Sequence, residues 1–224
     1  IDLTDQVLHR LGCRLPSRFA FFYSLAHLLE ARLGCERYTS VEVMNLPRIS
    51  DQKILWILSL LDDMFDFCYQ TQDRGTAIVT VVKCFRCIVN NGVNEVAPVT
   101  FAHIGSCLAK LGRYRAGAKY ADYALHLAHA ERDQRSLCRT LLMNFGLINH
   151  WTTDLEVEPL KQGYRAGLEA GCIENACRNL LLYILYGMQG STSLETLIVA
   201  GESHFRLLHE LGRRPSDQTI TLLN

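Results

Sequence analysis

The chain has 224 residues, enough for a substantial core or for a curved helical array. Lys+Arg and Asp+Glu balance at 23 each, so the formal net charge is +0 and no overall electrostatic footprint points to nucleic acid or an anionic membrane. A hydrophobic fraction of 49% with five prolines excludes long disorder, and charges interrupt every apolar run before the roughly 20 residues needed to span a bilayer.

Helical periodicity dominates. A first helix is predicted over about 17–33, after Pro16 and before Gly34. Pro47 imposes an extended approach, Ser50 is the expected cap, and a long helix follows over 51–71. Its return partner covers 74–90 and stops at Asn91 and Gly92. Ile78–Val82 within it is rich in β-formers, but Ala77, Val81, Phe85 and Ile88 continue one helical stripe through it. Pro98 suits a first turn and opens a helix to Leu111; Tyr114 to Ala130 returns. Helices are predicted next over 133–149 and 159–170, the second closed by Gly171, and then over 174–188 and 193–211.

These elements pair as antiparallel hairpins at about 51–91, 97–130, 133–171 and 173–212. The expected fold is therefore all-α: a single domain over 1–224, a right-handed, tetratricopeptide-like stack. Its clearest signal lies between Leu111 and Leu125, where small residues recur at Gly117, Ala118, Ala121 and Ala124. Small side chains let one helix lie close on the next. Gly117, Gly163 and Gly201 each sit a few residues into a second helix, at uneven spacings near the roughly 34–47 residues of helix-hairpin repeats. On this alignment Gly105 and Gly117 face each other. Leucine at Gly105 is expected to overpack, and alanine at Gly117 to be neutral or mildly stabilising.

Three stretches carry a resemblance: Leu46–Gln52 (LPRISDQ), Leu111–Leu127, and Asn149–Leu155 (NHWTTDL) followed by Leu160–Gly171 (LKQGYRAGLEAG). In order and spacing, the chain from its first helix to Gly212 resembles the helical region of very large multidomain signalling proteins. In that family a serine/threonine-kinase-like module and an AAA-type ATPase precede the helices. A GAF sensor and a histidine kinase or cyclase follow them. Cys172 departs from the family, which more often has aspartate there, and so weakens a helix cap. The resemblance implies a non-catalytic scaffold coupling an ATP-dependent switch to sensor or output domains, within a longer protein. The periodicity alone implies an interaction-competent array, so a free-standing peptide-binding module is the alternative, and a helical enzyme the third.

No Gly-x-x-x-x-Gly-Lys-Ser/Thr loop, kinase catalytic loop, His-Glu-x-x-His or nucleophile elbow occurs. No catalytic residue, cofactor or metal is therefore expected, and no ATP turnover. Cys84 and Cys87 form a C-x-x-C inside a helix, with no second pair to complete a zinc site. The nine cysteines read as small hydrophobes of a reducing compartment, which makes cytoplasm the expected location. His126 and His129 share a face without further ligands; His204 and His209 do not share one. Trp151 is expected to plug a gap between hairpins. Two surfaces are candidates for contacts with neighbouring domains or a protein or peptide partner. One is basic-aromatic, with Lys110, Arg113, Tyr114, Arg115 and Tyr120; the other is acidic, with Asp62, Asp63 and Asp66. Neither nucleic acid nor membrane is an expected partner.

Overall fold

A computed structural model describes residues 2–13, 15, 20–34, 40–148, 156–190 and 192–210. Among these residues the chain is all-helical, without a strand. The elements are α1 Asp2–Arg10, α2 Ala20–Gly34, α3 Ser40–Met44, α4 Gln52–Gln70, α5 Arg74–Asn91, α6 Ala97–Lys110, α7 Tyr114–Glu131, α8 Gln134–Met143, a π-turn Asn144–Ile148, α9 Glu158–Glu169, α10 Ile173–Gly187 and α11 Leu194–Glu210. No helix among the described residues is long and apolar enough to cross a membrane. The chain divides into two compact units, residues 1–131 and 132–224.

The same turn chemistry recurs at helix ends. After α1, α4, α6 and α9 comes a left-handed residue: Gly12 (φ 82°), Gln72 (61°), Gly112 (74°) and Gly171 (69°). The next N–H reaches back to a carbonyl of the last turn, as in Asp73 N to Cys68 O (2.9 Å), Arg113 N to Leu108 O (2.9 Å) and Cys172 N to Gly167 O (2.8 Å). These bonds satisfy carbonyls the helix leaves open and reverse the chain at once. Aspartates start α5 and α8. The Asp73 carboxylate accepts from Thr76 N (3.1 Å), and Asp133 accepts from Arg135 N (3.3 Å) and Ser136 N (2.9 Å). Asp51, not Ser50, caps α4, its Oδ1 accepting from Lys53 N at 2.9 Å.

Cys172 occupies the same capping place before α10 but makes no side-chain cap bond. Replacing Cys172 with aspartate is expected to stabilise the chain by about 1 kcal/mol, whereas Cys172→Ala should change little. Urea melts check this; an aspartate variant no more stable than the alanine one would contradict it.

Unit 1 is built around α6, whose residues from Ala97 to Ser106 are all buried. A helix apolar all round belongs inside. It packs on α7, α5 and α2, while α4 pairs with α5 and α3 rests on α7. Rings from three helices meet there: Phe85 lies 5.8 Å from Phe101 and 5.7 Å from Tyr120, and Tyr120 lies 5.6 Å from Tyr123. Such edge-on pairs add stability beyond area burial.

In unit 2, α9 packs on both α8 and α10. Glycines permit the close approach. A Cβ on Gly167 would fall 2.7 Å from Cys138 Sγ and 2.8 Å from Ala176 Cβ. A Cβ on Gly163 would meet the Asn179 amide, whose Nδ2 donates to the Cys138 carbonyl (3.1 Å) and the Asn175 carbonyl (3.0 Å). Gly201 has nothing within 4 Å, so it does not share the close-approach role of Gly117 and Gly163. The continuous helix expected over 133–149 instead shifts to the π-turn at Asn144, where Tyr186 Oη donates to the Gly146 carbonyl at 2.7 Å.

Candidate functional site

The basic-aromatic residues sit at the turn between α6 and α7. Lys110, Arg113, Tyr114 and Arg115 are exposed there, beside the half-exposed Leu111. Tyr120 is not part of this surface: at 4% exposure it belongs to the aromatic core. Its period explains the correction, because Gly117, Tyr120, Tyr123, Ala124 and Leu127 form the buried stripe of α7. On α4, Asp63 is exposed while Asp62 and Asp66 are half-buried. The acidic residues and the basic turn therefore stand on separate elements, α4 and the α6–α7 connection.

Cys84 is buried and Cys87 half-buried on α5. Burial raises the Cys87 thiol above its ordinary pKa, the nearby Cys13 adds to this, and Lys83 and the Asn91 amide oppose it. Cys138 is pushed up to about 12, mainly by burial. Low-pKa, reactive thiols have the opposite environment. Among the described residues no three His, Cys, Asp or Glu side chains gather into a metal-holding group. His126, His129 and His209 are exposed. Trp151 lies outside the described residues.

His204 on α11 is buried, and burial lowers its pKa below 6.5. The unfolded chain therefore takes up this proton first, so the neutral ring's contribution is complete above about pH 6.5 and is lost as pH falls below it. A His204→Leu variant should show a shallower loss of melting temperature between pH 7.5 and 5.5 than the parent. Identical pH profiles would contradict the assignment.

Sequence reading missed a cleft in unit 1. It has a volume of about 480 Å³ and is walled by the end of α1, by Tyr23 of α2, by the start of α4 and by one face of α5. On α5, Lys83, Arg86, Cys87 and Asn90 follow at helical spacing and all line it; Lys53 joins them from α4. Lys83 Nζ stands 5.7 Å from the Tyr23 ring centroid. Arg86 Nη1 lies 3.1 Å from His27 Nε2. A guanidinium can only donate, so the histidine nitrogen is the acceptor in this contact. The spacing on α5 was visible in the sequence, but Lys53 and Tyr23 reach the cleft only through tertiary packing.

Unit 2 presents an apolar face. On α11, Leu197 is buried while Leu194 (70% exposed), Ile198 (53%) and Phe205 (59%) follow one another along the adjoining flank. Val199 on the same helix and Met188 at the end of α10 are also exposed. No protein-family model, curated protein or solved structure matches the chain.

Proposed function

We propose that the chain is a helical interaction scaffold, and that it couples an AAA-type ATPase or kinase-like module to sensor or output domains in signal transduction. The observation carrying this reading is the outer face of α11. Leu194, Ile198 and Phe205 form an exposed apolar stripe along α11, flanking the side on which Leu197 is buried. Scattered surface hydrophobics need no explanation, but a stripe of large ones along a helix suits a protein partner. The resemblance of Leu46–Gln52, Leu111–Leu127, and Asn149–Leu155 with Leu160–Gly171 to the helical region of large signalling proteins supplies the specific context. Tetratricopeptide-like stacking and a cytoplasmic setting belong to the same proposal.

The test uses the complete natural gene product. Its reading frame should encode a P-loop before these helices. Ile198→Glu with Phe205→Glu should leave ATP hydrolysis unchanged while output loses its dependence on ATP. A frame without an ATPase would sink the coupling and leave a free-standing protein-binding module. Unaltered output in the double variant would sink the role of α11.

A further inference from the structure

The cleft of unit 1 concentrates positive charge in a chain whose formal net charge is +0. Its lining holds Lys53, Lys83 and Arg86 against one carboxylate, Asp51. That carboxylate already accepts the Lys53 backbone N–H as the α4 cap. Lys83 faces the Tyr23 ring and Arg86 donates to the His27 ring, so neither contact is with a carboxylate. Among the described residues, neither lysine forms a salt bridge. The Tyr23 hydroxyl is buried without a hydrogen-bond partner, while its ring lines the cleft. Beside these groups lie apolar Ile54 and Ile57. Three cations beside low-dielectric walls focus potential on one cavity. The volume falls in the usual range for small-molecule sites.

We propose that this cleft binds a small organic phosphate monoester, with Lys53, Lys83 and Arg86 holding the phosphate and Tyr23, Ile54 and Ile57 receiving the organic group. Charge decides between anions. The lining carries three positive charges and one negative, and a phosphate monoester carries about −1.5 to −2 at neutral pH. A monocarboxylate leaves part of that charge uncompensated, and an uncharged ligand leaves all of it. Arg86 supplies a planar fork of donors and the lysines supply point charges, the combination that recognises phosphate oxygens. The site is independent of the coupling role and stands or falls separately from it.

Calorimetric titration of the full chain with phenyl phosphate at low salt tests the assignment. Saturable one-to-one binding is expected. Lys83→Gln and Arg86→Gln should each weaken it roughly tenfold or more. Lys110→Gln, which removes the same charge from the exposed α6–α7 turn, should change it less than about twofold. Benzoate should bind roughly tenfold more weakly than phenyl phosphate. Absence of saturable binding, equal loss in all three variants, or equal affinity for benzoate overturns the proposal. Should the cleft variants fail to fold, acetylation footprinting of the parent chain decides. Phenyl phosphate must protect Lys53 and Lys83 while leaving Lys110 reactive, and uniform reactivity overturns the site.

Discussion

Replacing Gly92 with alanine is expected to destabilise the chain by about 4 kcal/mol, lowering the melting temperature by roughly 10 °C. Two costs combine. Gly92 has φ 115° and ψ −169°, a backbone region that side chains with a Cβ scarcely enter. An added Cβ would also stand 2.0 Å from the Pro47 carbonyl oxygen, far inside contact distance. That carbonyl accepts the Val93 N–H at 2.8 Å, and Ile49 N returns a bond to the Val93 carbonyl at 3.1 Å. These two bonds strap the segment before α4 to the end of α5, and Arg48 beside them pairs with Glu131 at 2.8 Å. The overlap cannot be relieved without giving up the strap. Gly112 provides the contrast, because its φ of 74° is left-handed helical and nothing lies within 4 Å of an added Cβ. Asparagine, which tolerates that region, should be accepted at Gly112 and rejected at Gly92. Chemical denaturation of the three variants checks the pattern; a Gly92→Ala chain within about 1 kcal/mol of the parent would contradict it.

Gly117→Ala is the second large effect, expected to cost about 2 kcal/mol. A Cβ there would fall 2.8 Å from the Gly105 carbonyl oxygen and 3.2 Å from Ala109 Cβ, so α6 and α7 would have to separate. Alanine's better helix propensity returns only about 1 kcal/mol. This reverses the expectation from the repeat pattern, in which alanine at this place is neutral or better. The reason is local: the helix opposite presents Gly105, so backbone, not a yielding side chain, faces Gly117. Thermal melts decide the sign, and a Gly117→Ala chain that melts at or above the parent would mean the two helices are not this close.

What the sequence made legible was the local chemistry that starts and stops helices. Gly171 closes α9 and Gly92 ends α5 as their places in the sequence suggested, whereas the cap of α4 is Asp51 and not Ser50. The β-rich run Ile78–Val82 lies in α5 because Ala77, Val81, Phe85 and Ile88 are buried together on one stripe. Short elements were not legible. Five-residue α3 and nine-residue α1 have too few turns to show a period. The change at Asn144 from α-helix to π-turn was equally hidden; the Gly146 carbonyl there accepts from Tyr186 of α10, a contact made only in the fold. Tyr120 illustrates a different miss. Its grouping with Arg113 and Arg115 suggested a surface, but a period of three to four from Gly117 to Leu127 already placed it inside. The cationic cleft required the meeting of Lys53 with Lys83 and Arg86, residues some thirty apart in sequence.

The central proposal is that the outer face of α11 docks a protein surface, and site-specific photo-crosslinking tests it most directly. A benzophenone amino acid is placed at Phe205 or Ile198 of the complete natural product in its own cells, with exposed Gln134 as the control position. The account predicts one discrete adduct from both α11 positions, mapped to another domain of the same polypeptide or to a single partner protein, with none from Gln134. Equal, diffuse background from all three positions would contradict it.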